Sequence, residues 1–130
     1  MTLFAAFDRG YDLMGKLTTH VLDTHSGLPA SGVRIELRTM ADGASQLIGS
    51  YVTADNGRCP QNLLDDGTFS EGRYELTFHV ADYFRGRGVP IADPPFIDTA
   101  VVRIGIADAS QHYHVPLLIT PWSYSVYRGG

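Results

Sequence analysis

Short segments in which apolar and polar residues alternate, separated by turn residues, recur along most of this chain. The clearest is VRIELRT, in which Val33, Ile35 and Leu37 alternate with charged residues. Because successive side chains of a strand point to opposite faces, this pattern predicts a strand with one face buried and the other in water. Glycine, proline and Asn-Gly turns separate such segments, which favours strands over long helices.

Seven segments carry strand-like patterns: LTTHVLD, VRIELRT, QLIGSYVT, RYELTFHV, TAVVRIGIA, HYHVPLLI and WSYSVYR. The segment ADYFRGRG is the one plausible helix, ended by Gly86 and Gly88. About seven or eight strands with frequent turns indicate an all-β antiparallel sandwich rather than a βαβ fold. We expect residues 15–130 to form one domain and residues 1–14 to be an N-terminal extension outside it.

Composition excludes several classes of function. The 130 residues carry a formal charge of −4, so no broad basic surface for nucleic acid is expected. No apolar run reaches the roughly 18–20 residues that span a bilayer, so no membrane partner is expected. The single cysteine, Cys59, cannot form an internal disulfide, and residues 1–14 do not resemble a signal peptide. We therefore expect a cytoplasmic protein.

His112 and His114 lie two residues apart in a predicted strand, so their imidazoles share a face. Tyr113, Val115 and Leu117 then point to the core. Such a pair can supply two ligands to zinc, or one neutral imidazole as a general base. An ordinary pair of surface histidines is the alternative interpretation.

Three other residues have two interpretations each. His20 lies on the polar face of LTTHVLD, where a lone histidine is more often structural than functional. Arg58 follows Asn-Gly in a loop, and its guanidinium fork suits planar or anionic ligands, although solvated loop arginines are common. Arg128 in the terminal YRGG is open to the same two interpretations. Cys59 is more plausibly structural than catalytic.

Four segments together resemble the 5-hydroxyisourate hydrolase family, the transthyretin-related proteins of urate breakdown. They are KLTTHVLDTHSGLPASGVRIEL, ADNGRCPQNLL, GRYELTF and HYHVPLLITPWSYSVYRGG, and they occur in the order typical of that family. The resemblance covers Lys16 to Gly130. It implies a transthyretin-like antiparallel β-sandwich of about eight strands with one short helix. It also implies a homotetramer, a dimer of dimers with active sites at the dimer–dimer interface.

The resemblance also assigns roles to residues. The family's catalytic residues correspond to His20, Arg58 and His114, and its C-terminal motif corresponds to Tyr127, Arg128, Gly129 and Gly130. His112 shares the face of His114 and is a further candidate for contact with substrate. No metal and no cofactor is implied.

The implied reaction is hydrolysis of 5-hydroxyisourate to 2-oxo-4-hydroxy-4-carboxy-5-ureidoimidazoline. We favour His20 as the base and Arg58 as the group that holds substrate and stabilises the oxyanion. His114 would then orient substrate or donate a proton to the departing nitrogen. Two alternatives are a transthyretin-like binding protein without turnover and a zinc hydrolase that uses His20, His112 and His114. The family has serine where this chain has Gly130, so we expect a reduced but not abolished rate.

Overall fold

The computed structural model describes residues 15–130, so the predicted N-terminal extension lies outside the described residues. Its strands are β1 (Leu17–Asp23), β2 (Leu28–Pro29), β3 (Arg34–Ala41), β4 (Ala44–Val52), β5 (Gly72–Phe78), β6 (Ala100–Ile106), β7 (Tyr113–Ile119) and β8 (Tyr124–Val126). One helix, α1 (Val80–Gly86), lies between β5 and β6. The strands form two four-stranded sheets with the orders β2-β1-β7-β8 and β4-β3-β5-β6.

The core lies between the two sheets and consists of the apolar residues that alternate along the strands. In β1, Leu17 and Val21 are fully buried, while the residues between them are partly exposed or hydrogen-bonded. The other strands that meet in the centre contribute the same kind of residue: Ile35, Leu37, Leu76, Phe78, Leu117 and Ile119. The predicted fold class, an all-β sandwich of about eight strands with one short helix, is confirmed.

One pairing departs from a purely antiparallel arrangement. β1 and β7 run parallel, with Thr18 opposite His114 and His20 opposite Pro116. Parallel pairing needs a long connection between the strands. Here the whole of the second sheet lies between β1 and β7 in the sequence. Alternation along a single strand carries no information about the direction of its neighbour, so the sequence pattern could not reveal this.

Element boundaries differ from the sequence prediction in a few places. The predicted strand RYELTFHV ends at Phe78, and Val80 is instead the first residue of α1, where it is fully buried. The segment WSYSVYR contains only the short strand β8, and the predicted loop SGLPASGV contains β2. Within residues 15–130 no helix has the length and apolar character needed to cross a membrane.

The helix is tied to the end of β1 by a buried carboxylate. Asp23 is 2% exposed, and its Oδ2 accepts a hydrogen bond of 2.9 Å from the Tyr83 hydroxyl. Its Oδ1 accepts the backbone N–H groups of His25 and Ser26. Burial alone raises the pKa of Asp23, but these hydrogen bonds outweigh it and hold the pKa below its usual value of 3.8. The charged form is therefore favoured by folding.

Replacing Tyr83 by Phe should destabilise the protein. The loss in free energy of unfolding, relative to the native chain, should be larger at neutral pH than at acid pH. A carboxylate whose pKa is lowered by folding adds stability above its unfolded pKa and loses it as the pH falls through the folded value. Loss of the Tyr83 hydroxyl should cost about 1–3 kcal/mol at pH 7 and less at pH 3. Urea unfolding at both pH values and equal protein concentration measures this, with Tyr51→Phe as the control because the Tyr51 hydroxyl donates to the uncharged Leu63 carbonyl. An equal loss at both pH values would contradict the charge-linked explanation.

Candidate active site

The parallel pairing of β1 and β7 brings the two strands that carry His20 and His114 side by side. Both histidines lie on the outer face of this sheet. Thr18 lies opposite His114, and His20 lies two residues further along the same face of β1. Thr18, His20 and His114 are all partly buried. Because both strands have their alternate residues in the core, these polar side chains are directed away from it.

The Asn-Gly-Arg turn lies against the other edge of β1. The Val21 N–H donates to the Gly57 carbonyl at 2.8 Å, and a bridge pairs His20 with Arg58. Within the turn, Asn56 Oδ1 accepts the Arg58 N–H at 3.0 Å. Gly57 has φ +80°, and a Cβ there would overlap the Val21 carbonyl oxygen. Glycine therefore permits both the conformation of this turn and its close approach to β1.

A backbone carbonyl determines the tautomer of His20. Its Nε2 lies 2.9 Å from the carbonyl oxygen of Asn56. A carbonyl oxygen can only accept a hydrogen bond, so Nε2 carries a proton. In the neutral imidazole of His20, the free lone pair is therefore on Nδ1.

His114 lies in a different environment. Its Nδ1 is 2.8 Å from the Thr18 hydroxyl oxygen. Burial, the Arg58 cation and the neighbouring His20 lower the pKa of His114, in that order of importance, and a hydrogen bond with the Thr18 backbone opposes them. At neutral pH the imidazole of His114 is therefore uncharged and able to accept a proton.

The C-terminal glycines lie beside His114. The Gly129 N–H donates to the His114 carbonyl at 2.8 Å, and a Cβ on Gly129 would lie 2.7 Å from Cδ2 of the His114 ring. At Gly130 no atom lies within 4 Å of the position that a Cβ would take. The glycine at position 129 thus leaves room for the His114 ring, whereas a side chain at position 130 would meet open space.

An open depression of about 460 Å³ connects most of these residues. Its lining consists of Lys16, Thr18, Arg58, His112, His114 and Gly130. His20 is adjacent to this depression but does not line it. Lys16 and Thr18 were not predicted from the sequence. Both share the two-residue period of His20, but the pairing of β1 with β7 was needed to recognise them.

Tyr127 and Arg128 lie on another side of His114. The Arg128 guanidinium carbon is 4.0 Å from the centroid of the Tyr113 ring, and Nη2 donates to the Gln111 side chain and the His112 carbonyl. Tyr127 and Arg128 line, together with His114, a second cavity of about 420 Å³ beside β6. Their predicted contact with substrate stays a prediction.

Other reactive side chains do not converge at the depression. Among residues 15–130, no group of three His, Cys, Asp or Glu side chains could hold a metal ion, and His20, His112 and His114 form no such group. Burial raises the pKa of Cys59 to about 11, so its thiol stays protonated at neutral pH. His25 contacts the rings of Phe84 and Trp122 edge-on instead.

Two four-stranded sheets packed face to face, with a histidine- and arginine-lined depression outside one sheet, define a protein of the transthyretin-like sandwich class. The family model described as HIUase/Transthyretin family matches residues 17–129. This chain belongs to that family, and the resemblance seen in the sequence is confirmed.

Several curated relatives are about half identical to this chain. The 5-hydroxyisourate hydrolase of Pseudomonas aeruginosa is 50% identical over 116 residues, which cover 89% of this chain and 92% of the relative. The 5-hydroxyisourate hydrolase of Deinococcus radiodurans is 52% identical over 113 residues, which cover 87% of this chain and 94% of the relative.

Solved structures match over a similar span. The structure of (S)-allantoin synthase superposes with a TM-score of 0.85 and 44% identity, covering 92% of this chain but only 45% of that one. Klebsiella pneumoniae 5-hydroxyisourate hydrolase has a TM-score of 0.74 and 30% identity, covering 90% of this chain and 100% of that one. Sea bream transthyretin, in complex with thyroxine, has a TM-score of 0.79 and 28% identity, covering 88% of this chain and 94% of that one.

Proposed function

We propose that this protein hydrolyses 5-hydroxyisourate to 2-oxo-4-hydroxy-4-carboxy-5-ureidoimidazoline. The observation that carries the proposal is that Arg58 and His114 line one depression, with His20 beside it on the same face of β1, in a chain half identical to 5-hydroxyisourate hydrolases. Curated relatives with this activity match nearly their whole length, so the likeness is not confined to a fragment of them.

Arg58 is the group that stabilises charge in this proposal. Its side chain is exposed at the depression, on a turn that is tied to β1 by the Gly57 carbonyl. When water attacks a ring carbonyl of the substrate, negative charge develops on the carbonyl oxygen. A guanidinium cation beside that oxygen stabilises the developing charge.

His114 is the proton carrier in this proposal, which reverses the order of roles that we favoured from the sequence. His114 lines the depression whereas His20 does not, and the lowered pKa of His114 leaves it neutral at pH 7. His114 takes a proton from the attacking water, whose oxygen bonds to the carbonyl carbon. As the ring C–N bond breaks, His114 returns that proton to the departing nitrogen.

His20 then has the role of orienting substrate or water. Its Nε2–H is held by the Asn56 carbonyl, so the lone pair on Nδ1 is available to accept a hydrogen bond. The backbone bridge between His20 and Arg58 places the Nδ1 acceptor and the guanidinium cation on neighbouring residues at β1. This geometry suits a planar cyclic ureide, which carries both N–H donors and carbonyl acceptors.

The first experiment is the ultraviolet decay of 5-hydroxyisourate, generated from urate by a urate oxidase, with and without the protein. The substrate decays by itself, so the measured quantity is the acceleration over that background. Acceleration that survives a chelator supports hydrolysis without a metal. Folded protein that gives no acceleration but binds an aromatic ligand would instead favour the transthyretin-like binding function.

We also propose the homotetramer that the family resemblance implies and the cytoplasmic location expected from the sequence. The edge strands β6 and β8 carry exposed apolar residues, among them Val101, Tyr124 and Val126, whose burial would favour association. Light scattering on the eluting protein should give a mass near four times 14.2 kDa. A monomer mass, or recovery of the protein outside the cytoplasmic fraction, would contradict the respective proposal.

Replacing Gly130 by Ser should raise kcat by roughly 10- to 100-fold. A hydroxyl at this position can hydrogen-bond substrate or water, and such a bond to a polarised group is worth about 1.5–3 kcal/mol. No atom lies within 4 Å of the position of a Cβ at Gly130, so serine fits without displacing its neighbours. Steady-state kinetics measure the gain, with Gly130→Ala as the control for the added carbon alone. Equal kcat values for Gly130→Ser and Gly130→Ala would show that the hydroxyl does not cause the gain.

A further inference from the structure

The two imidazoles of the candidate site are held by different kinds of partner. The carbonyl that holds His20 can only accept a hydrogen bond. The Thr18 hydroxyl that lies 2.8 Å from His114 Nδ1 can donate or accept. The direction of this second bond decides which ring nitrogen of His114 has the free lone pair, and therefore what His114 can do.

We propose that Thr18 is a positioning residue, whose hydroxyl accepts the Nδ1–H of His114 and so presents the basic Nε2 to the depression. The inference rests on the proposed function, in which His114 receives a proton from water. It adds a residue that holds the tautomer required for this step and stabilises the imidazolium once the proton has arrived.

The charges around His114 support this direction of the bond. Arg58 lines the depression. Its positive charge favours a His114 tautomer in which the nitrogen facing the depression has a lone pair and not an N–H. Lys16 also lines the depression, and His20 is close enough to disfavour a charge on His114. His112 lines the depression with His114 and is exposed, and Tyr127 and Arg128 line the second cavity that His114 borders.

The position of Thr18 does not depend on the site. The parallel register of β1 and β7 places Thr18 opposite His114 through backbone hydrogen bonds. The next residue, Thr19, is on the core face of β1, and its hydroxyl donates to the Val115 carbonyl at 2.7 Å. Thr18 and Thr19 therefore both form side-chain hydrogen bonds with β7. The bond of Thr18 lies at the site, and the bond of Thr19 lies in the core. This makes Thr19 a matched control.

The test compares Thr18→Val, Thr18→Ser and Thr19→Val in the full-length chain. Thr18→Val removes the hydroxyl while preserving shape, and we expect kcat to fall about 10- to 100-fold with KM changed little. Thr18→Ser retains the hydroxyl and should retain most of kcat. Thr19→Val should lower thermal stability without changing the pH profile. Loss of an acceptor that favours the protonated ring should also move the acid limb of the Thr18→Val profile to lower pH.

A second measurement reads the tautomer without any turnover. The chain has five histidines, so nitrogen-15 chemical shifts of labelled imidazoles can be assigned with a His114→Gln variant. We expect a protonated Nδ1 and an unprotonated Nε2 at His114 in the native chain, and a mixture of tautomers in Thr18→Val. A protonated Nε2 in the native chain, an acid limb that moves to higher pH, or an unchanged kcat in Thr18→Val would overturn the proposal.

The two proposals fail in distinguishable ways. If the native chain does not accelerate substrate decay, the proposed function fails, and the nitrogen-15 shifts still decide whether Thr18 holds the tautomer of His114. If the native chain is active and Thr18→Val matches it, only the role of Thr18 is lost.

Discussion

Replacing His114 by Ala should lower kcat for 5-hydroxyisourate by about 10²- to 10⁴-fold. In the proposed mechanism His114 both accepts the proton of the attacking water and returns it to the departing nitrogen, and general acid–base catalysis contributes on that order. His114 is partly buried at the outer face of its sheet, so truncation should affect turnover far more than folding. Progress curves measured above the spontaneous decay give the loss.

The pH dependence provides an independent check on the same residue. The pKa of His114 is lowered from its usual value of 6.5 by burial, Arg58 and His20, so the neutral base persists to lower pH. The acid limb of kcat/KM should therefore lie below pH 6.5 in the native chain and be absent from the residual activity of His114→Ala. An acid limb above pH 6.5 would contradict this assignment.

The control for His114 is another histidine of the same chain. His25 contacts Phe84 and Trp122 and is remote from the depression, so His25→Gln should retain the native kcat. Circular dichroism and the eluting mass of both variants verify that they are folded and assembled alike. If His114→Ala retains native kcat while folded, His114 is not the proton carrier.

Replacing Gly57 by Ala should both destabilise the protein and reduce turnover. The residue has φ +80°, which L-amino acids with a side chain rarely adopt, and the added Cβ would overlap the Val21 carbonyl oxygen. Strain and overlap together should cost about 2–4 kcal/mol. The turn can relieve the overlap only by moving away from β1, which displaces Arg58 and the carbonyl that holds His20. A displacement of about 1 Å can cost roughly 10²-fold in kcat.

Gly32 is a matched control because it shares the strain without the overlap. It has φ +84°, and no atom lies within 4 Å of the position of its Cβ. Gly32→Ala should therefore lose about 1–2 kcal/mol of stability and retain the native kcat. Urea unfolding and steady-state kinetics on both variants separate the two effects. Equal losses of kcat in the two variants would show that the close approach of Gly57 to β1 does not position the site.

The fold class and the core could be read from the sequence because each strand buries every second residue. Alternation alone predicts that Val33, Ile35 and Leu37 face inward, and all three are fully buried. The family could also be recognised from the sequence, because its motifs are contiguous and span most of the chain. At the level of sequence, His20, Arg58 and His114 are linked by that family resemblance and not by the pattern of polar residues.

The residues that support the site could not be predicted because they depend on contacts between distant segments. Thr18 and His114 are 96 residues apart, and nothing in either strand specifies that β1 and β7 pair in parallel with this register. The close approach of Gly57 to β1, the orientation of Arg128 over Tyr113 and the place of Lys16 in the depression follow from the same assembly. Alternation along one strand determines which side chains are buried, whereas the packing of strands against one another determines which exposed side chains meet.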